Sequence, residues 1–380
     1  MKLLIDAHCF DAPASEGVNT YLEGIYTQAT ALAPEIDFFF ASRQGEGLKK
    51  VFGEGPNIHY LKLNRQSRAG RMLREYPELI QKLGIDKAHF QYFAPPFVGC
   101  KTVITMHDIL FMDFPRYFPW DYRVLRRLVF GSSARKASTL ATVSEYSRKR
   151  ISRHFGIPEE RIVLTPNAVK EDFFNVDREA ARREIYGQGI RPFIMNVNRI
   201  EPRKNQLALV KAYVETGLDR EGYDLVMINR PAIPVTELER YFSRLPEETR
   251  RRIHRIDGLP HEELIKWYGA ASLFVYPSIA EGFGIPPLEA LATGTPTICN
   301  NSTAMADYDF LGENLIDLSD ESRLKERILA NLRRPPSEEA MTLLAEEVKR
   351  RYNWRRSAQA LLDSLSTTHH PLPTSERSSE

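Results

Sequence analysis

The chain reads as an α/β protein with parallel sheets, and three observations predict it. Short apolar runs alternate with helical patterns from end to end, the order of repeated βα units. Several runs, such as LFVY at 273–276, are apolar at every residue, as strands covered by helices on both faces must be. Polar and glycine-containing loops follow the carboxyl ends of these runs, where open parallel sheets bind ligands. A length of 380 residues predicts two or three domains of ordinary size.

Composition narrows the classes. The chain is 42% hydrophobic and 27% charged, as soluble globular proteins are. No run approaches the roughly 18 consecutive apolar residues of a membrane span. The opening MKLLIDAHCF has an apolar part of residues 3–5 only, too short for a signal-peptide core. Three scattered cysteines, Cys9, Cys100 and Cys299, indicate neither a disulfide framework nor a Cys-x-x-Cys metal site, so a reducing, cytoplasmic compartment is expected. Net charge is +2, but residues 1–165 carry 23 basic against 17 acidic residues and the remainder 29 against 33. A basic first half suits anionic lipid or nucleic acid; no RNA-binding or zinc-finger signature supports nucleic acid.

In order, the first half predicts strands at 3–7, 37–41, 58–63, 88–93, 101–108, 140–143 and 161–164. Helices are expected at 18–31, at 71–83 and from Ser144, a preferred N-cap, to Gly156. Residues 117–136 mix Phe118, Trp120, Tyr122, Val124, Leu125, Leu128 and Phe130 with Arg123, Arg126, Arg127, Arg135 and Lys136. Two readings compete there: a face lying on an anionic bilayer, or a core-facing helix with a solvated basic side. The second half predicts strands at 192–197, 223–228, 252–256, 271–276 and 296–299, with helices at 178–186 and 206–215.

Residues 274–300, FVYPSIAEGFGIPPLEALATGTPTICN, organise the rest. A buried strand gives way to a loop of small residues carrying Glu281. Pro286 and Pro287 then open a helix, where their missing N–H groups cost nothing. Glu289 sits one turn inside, and Gly294 closes the helix as a C-cap would. A helix N-terminus beside glycines at a strand's carboxyl end is a site for phosphate. A carboxylate accepts two hydroxyls from a vicinal diol such as a ribose. Upstream, Arg203 and Lys204 precede a helix N-terminus, which is unfavourable, so an anion is expected to compensate them.

The EGFGIPPLE stretch, glutamate, seven residues, glutamate, resembles the motif of retaining GT-B glycosyltransferases, closest to glycosyltransferase family 4. The resemblance extends through PRKN at 202–205 and covers nearly all of residues 1–365, more loosely in the first half. It implies that Glu281 faces the donor sugar, that Glu289 binds the nucleotide ribose, and that Arg203 and Lys204 neutralise the diphosphate in place of a metal. Gly282, Phe283, Gly284 and Ile285 would meet the donor through their backbone. Asn198 stands where the family usually has glycine. Gly17, alone where many members have two glycines, would border the donor phosphate; a simple turn glycine is the competing reading. Asn19, His107 and Asp108 fall on the acceptor side, with His107 also beside the donor sugar; a His–Asp acid/base pair or a structural corner are its other readings.

The resemblance implies a GT-B fold: two Rossmann-like domains facing a central cleft, 1–168 for the acceptor and 169–350 for the nucleotide sugar. A closing helix at 351–365 would return to the first domain, and 366–380 would be a disordered tail. It implies retaining, metal-independent hexosyl transfer without a further cofactor. The donor expected first is GDP-mannose and next a UDP-hexose, from likeness to bacterial polysaccharide mannosyltransferases. The acceptor would be a glycan or lipid-linked glycan at the inner face of the plasma membrane. A nucleotide-sugar epimerase and a non-catalytic nucleotide-sugar binder share the fold and stay open.

Overall fold

The computed structural model describes residues 1–12 and 17–366. The tail beyond Ser366, expected to be disordered, and Pro13 of the first loop lie outside the described residues. The chain divides into two units, Ala168–Tyr352 and a first unit made of Met1–Asn167 with the segment from Asn353 onward.

The first unit holds seven parallel strands: β1 (Lys2–Asp6), β2 (Asp37–Ser42), β3 (Ile58–Lys62), β4 (Lys87–Gln91), β5 (Lys101–Thr105), β6 (Thr139–Thr142) and β7 (Ile162–Leu164). Their order is β3-β2-β1-β4-β5-β6-β7. Central β1 pairs Ile5 with Phe40 on one side and with His89 on the other. Leu4, Ile5, Phe38, Phe90 and Ile104 are buried, because helices cover both faces of such a sheet.

The second unit repeats the plan with β8 (Phe193–Ile200), β9 (Asp224–Pro231), β10 (Ile253–Ile256), β11 (Leu273–Tyr276), β12 (Thr297–Asn300) and β13 (Leu315–Ile316). Their order is β10-β9-β8-β11-β12-β13, all parallel. Each sheet reverses its direction of winding once, between β1 and β4 and between β8 and β11. Crevices at such reversals, beyond the carboxyl ends of the strands, are where doubly wound sheets bind ligands.

The last described helix, Trp354–Ser366, belongs to the first unit and packs on the helix Gly17–Leu32. Gly24 admits Trp354: a Cβ built there would stand 2.2 Å from the indole. Ser357 Oγ donates to the Pro166 carbonyl at 2.8 Å, and Thr139 Oγ1 donates to Ser364 at 3.2 Å.

Several elements depart from expectation. β8 runs to Ile200 rather than stopping at 197, because its ladder with β9 continues through Asn198–Asn229 to Ile200–Pro231. Asn198 and Arg199 are therefore strand residues. The helix expected from 117 starts at Trp120, after Pro119 and a short 3₁₀ turn at Pro115–Tyr117. Two-residue β13 and the helices Glu321–Arg333 and Glu338–Arg351 were not anticipated.

Candidate active site at the strand ends

In the second unit, the loops after β8 and β11 meet beside the β8–β11 reversal. The β8 loop makes a 3₁₀ turn at Pro202–Lys204, and Asn205 takes a left-handed conformation (φ 55°) before the helix Gln206–Glu215. The β11 loop ends at Gly284 (φ 96°), which precedes the helix Ile285–Ala292 with prolines in its first turn. Here glycine is needed twice over: the backbone is left-handed, and a Cβ would come within 3.3 Å of Met305. Tyr308 Oη donates to the Phe283 and Gly284 carbonyls at 2.8 and 2.9 Å. The far end of this helix is a Schellman closure, with Gly294 N–H donating to Leu291 and Thr295 N–H to Ala290. The two loops are stapled together, since Ile279 N–H donates to Arg203 O at 2.8 Å and Arg203 Nη1 to Ala280 O at 2.7 Å.

Glu281 lies at the centre, 7% exposed. Its Oε1 accepts from Lys204 Nζ at 2.5 Å, Ser278 Oγ at 2.6 Å and Tyr276 Oη at 2.8 Å, and its Oε2 from Arg203 Nη1 at 3.0 Å. Burial alone would raise its pKa, but Lys204 and Arg203 prevail and hold the carboxyl at about 2. Lys204, buried as deeply, is lowered by burial against the pull of Glu281. Glu201 Oε2 takes Arg203 Nε at 2.9 Å. The anion predicted to compensate Arg203 and Lys204 is thus supplied by the chain itself, chiefly by Glu281. Thr303, also left-handed (φ 54°), accepts the Glu281 N–H at 2.9 Å. Strained non-glycine residues of this kind persist where the surroundings over-determine them, often at functional sites.

Glu289 is the opposite case. Burial pushes its pKa up to about 7, against Tyr268 Oη, which donates to it at 2.9 Å, and against the charge of His261; Asp172 pushes the same way as burial and Lys170 opposes it. Two carboxylates eight residues apart thus titrate far from each other, the pattern that separates roles in a site. Asn198 Oδ1 accepts from Gln206 Nε2 at 2.6 Å and Asn229 Nδ2 at 2.9 Å. Its Nδ2 is buried without a partner among the described residues, a donor left for a ligand or water. Phe283 turns its ring to Tyr308 and Tyr352, so its backbone is what a ligand would meet. Gly282 just before it and Ile285 two residues after it are both partly exposed.

The first unit gathers a second polar set at the ends of β1, β4 and β5. His107, 7% exposed, donates from Nε2 to Gln91 Oε1 at 2.8 Å. Gln91 Nε2 in turn meets His89 Nε2 at 3.3 Å, and His89 also meets Thr105 Oγ1 at 2.8 Å and Tyr26 Oη at 2.5 Å. Burial lowers both histidines to about 3, so His107 is neutral at physiological pH, with its lone pair on Nδ1. Asp108 Oδ1 accepts the Leu110 N–H at 3.0 Å, capping the next turn, while His107 is oriented through Gln91. Asn19 is 6% exposed, and its Oδ1 has no partner among the described residues. Gly17 opens its helix, and among the described residues nothing stands within 4 Å of where its Cβ would be.

Sequence reasoning missed three features. Tyr276 and Ser278 anchor Glu281 from five and three residues' reach within YPSIAE, a signal visible only once the loop is folded. Tyr268 comes to Glu289 from the neighbouring helix His261–Ala270. In the first unit, buried Asp6 accepts from His8 Nδ1 at 2.7 Å and from Tyr76 Oη; the DAH tripeptide closing β1 was the available sign. Among the described residues no cluster of His, Cys, Asp or Glu is arranged to hold a metal, and no helix is long and apolar enough to cross a membrane.

Residues 177–348 match the family described as glycosyl transferases group 1, and residues 15–173 match glycosyltransferase family 4. The O-antigen chain mannosyltransferase B of Escherichia coli is 28% identical over 369 residues, covering 90% of this chain and 95% of its own. A GDP-mannose-dependent alpha-(1-6)-phosphatidylinositol monomannoside mannosyltransferase of Mycolicibacterium smegmatis is 32% identical over 193 residues, 48% of this chain and 49% of its own. The solved structure of Anabaena HepE in complex with UDP and glucose superposes with a TM-score of 0.73 at 16% identity, covering 96% of this chain and 99% of that one.

The Glu281 ion set predicts a stability signature. Removing one partner of a buried pair costs about 3–5 kcal/mol, so Glu281→Gln should lower the urea midpoint strongly at pH 7. Because the folded carboxyl titrates near 2 against an ordinary 4.5, its contribution is complete above pH 4.5 and lost as pH falls through about 2, about 3 kcal/mol in all. The gap between wild type and variant should therefore close in acid. A gap equal at every pH would contradict the ion-pair assignment.

Proposed function

The chain belongs to the group 1, family 4 glycosyltransferases, and we propose that it moves a hexosyl group from a nucleotide sugar, GDP-mannose before UDP-hexose, to a glycan or lipid-linked acceptor with retention of configuration. The observation that carries this reading is the pair of cations, Arg203 and Lys204, held with Glu281 beside the β8–β11 reversal. Mannosyl transfer is favoured by the mannosyltransferase names of the relatives that match most of the chain or about half of it.

The second unit would take the donor and the first the acceptor. Arg203 and Lys204 would share their protons between Glu281 and the diphosphate, stabilising the negative charge that grows on the leaving group. Glu289 would accept the ribose hydroxyls, and the Asn198 Nδ2 would add a donor. Glu281 would orient the sugar. With lone pairs committed to Lys204, Ser278, Tyr276 and Arg203, it is a poor nucleophile, which favours internal return over a covalent intermediate. In that route the leaving phosphate takes the acceptor's proton. Neutral His107 would serve as a hydrogen-bonding group rather than an acid. The cationic loop would perform the charge neutralisation that a metal performs elsewhere, so transfer should survive chelation.

The direct experiment supplies GDP-mannose or UDP-glucose with a mannose-terminated acceptor and chelator, and follows free nucleotide and glycosylated product. Product from GDP-mannose, with the donor's anomeric configuration, is expected. Epimerised donor without acceptor glycosylation would establish the epimerase reading instead; donor binding without turnover would establish the binder. Glu289 adds a pH signature. Because it must be ionised to accept two hydroxyls and titrates near 7, nucleoside affinity should rise from pH 6 to 8 and release a proton on binding. Glu289→Gln should flatten that profile; an unchanged profile would remove Glu289 from the ribose.

We also propose contact with the inner face of an anionic membrane. On the helix Trp120–Lys136, Trp120, Val124, Leu125 and Leu128 are exposed, between 53% and 71%. Arg116 and Arg127 stand exposed beside them, on the half of the chain with basic excess. Apolar area plus cations is the chemistry of interfacial helices. Sedimentation with phosphatidylglycerol vesicles should be strong at low salt, weaken with salt and fall in Leu125→Glu/Leu128→Glu. Absence of binding at low salt would make this face a solvated one.

A further inference from the structure

The first unit holds arginines that form no ion pair with a carboxylate among the described residues. Arg68 lies with its guanidinium carbon 4.3 Å from the centre of the Phe93 ring. The Phe93 ring stacks on Phe130, centroids 6.1 Å apart. Arg126 sits over the same Phe130 at 5.2 Å and over Tyr122 at 4.7 Å. Two guanidiniums are thus carried on one aromatic assembly. Arg71, 8% exposed, adds a third, spending Nη1 on the Gln66 carbonyl at 2.7 Å. Among the described residues none of the three forms an ion pair with an acid. Burial and repulsion by Arg126 hold Arg68 below the usual arginine range; Asp6 pulls the other way more weakly than Arg126 pushes, and Arg71 pushes too. Arg68 is exposed as a residue, while its head, over the Phe93 ring, is partly desolvated. Nearby, Arg123 Nε is buried without a partner among the described residues.

Elsewhere the chain treats half-buried cations differently. Arg150 meets Asp113, Arg191 meets Asp224, and Arg203 meets Glu201 and Glu281. Around Phe93 the cations are held together, with no carboxylate paired to them among the described residues. Phe93 follows β4, immediately after left-handed Tyr92 (φ 67°). That position is beside the β1–β4 reversal, where a doubly wound sheet offers its ligand crevice. Planar guanidiniums seated on rings keep their edges free to donate in pairs, a geometry that matches phosphate oxygens.

We propose that Arg68 and Arg126, carried on Phe93, Phe130 and Tyr122 with Arg71 behind them, form a binding site for a phosphate or diphosphate group on the acceptor. The acceptor assignment rests on the transferase reading above; the anion site itself does not. It makes the acceptor a phospho-linked glycan rather than a free one. The same chemistry is offered by a lipid headgroup, so the test must separate the two sources.

Calorimetry on the full chain would use a short-chain alkyl diphosphate below its micelle concentration and the corresponding neutral alkyl alcohol, without any nucleotide sugar. The wild type should bind the diphosphate and not the alcohol. Arg68→Gln/Arg126→Gln, at an unchanged unfolding midpoint, should bind it at least about tenfold more weakly. Arg68→Lys/Arg126→Lys should recover part of the loss. Arg203→Ala, which removes one of the two cations at the other unit's site, should leave this binding in place. Loss in Arg203→Ala but not in Arg68→Gln/Arg126→Gln would overturn the proposal. So would phosphatidylglycerol vesicle binding that falls in Arg68→Gln/Arg126→Gln while alkyl diphosphate binding does not, since the arginines would then read headgroups alone. Because turnover is not measured, a chain that proved inactive as a transferase would still report on this site.

Discussion

Burying a lysine and a glutamate together is the constraint on which the second unit depends. Either charge alone would be too costly in the interior. Together, Lys204 and Glu281 are tolerable only with every remaining polar atom satisfied, which Ser278, Tyr276 and Arg203 accomplish. That requirement fixes the β11 loop against the β8 loop and accounts for the left-handed Asn205 and Thr303 that the loops must adopt. A cation pair already neutralised by a carboxylate is also poised for exchange. An incoming diphosphate meets donors aligned in advance, and the chain's own carboxylate restores neutrality when the product leaves.

The same logic, with the charge removed, governs the first unit. His89 and His107 are buried neutral and linked through Gln91, whose amide oxygen needs a hydrogen on His107 Nε2 and whose amide nitrogen needs a lone pair on His89 Nε2. Such a network orients a histidine without making it an acid. Charge in this unit is instead carried on aromatic rings around Phe93, where no acid among the described residues forms an ion pair with it. The two reversals therefore present different electrostatic faces: one cationic and ion-paired within the chain, the other cationic and without an ion pair among the described residues.

Much of the fold was legible in the sequence because parallel strands are apolar throughout, and the runs at β1, β5 and β11 could not easily be anything else. The end of β8 was not, since Asn198 and Arg199 look like loop residues and are strand only through pairing with β9. Two-residue β13 leaves too short a pattern to see. At the site, Glu281, Glu289, Arg203 and Lys204 stood out by spacing and by likeness to a family. What spacing cannot convey is that Glu281 and the cations would find each other before any ligand arrived. Nor does it reveal that Tyr268 would seat Glu289, or that Arg68 and Arg126, far apart in the chain, share an aromatic platform. These are tertiary facts with no local trace.

The most direct test of the account is a titration of nucleoside, nucleoside monophosphate and nucleoside diphosphate into wild type, Arg203→Ala and Lys204→Ala. If these cations serve the diphosphate, each substitution should weaken diphosphate binding by roughly tenfold or more, the worth of a charge-assisted contact, and leave the nucleoside nearly untouched. Equal losses for all three ligands would contradict it, and would return Arg203 and Lys204 to a purely structural partnership with Glu281.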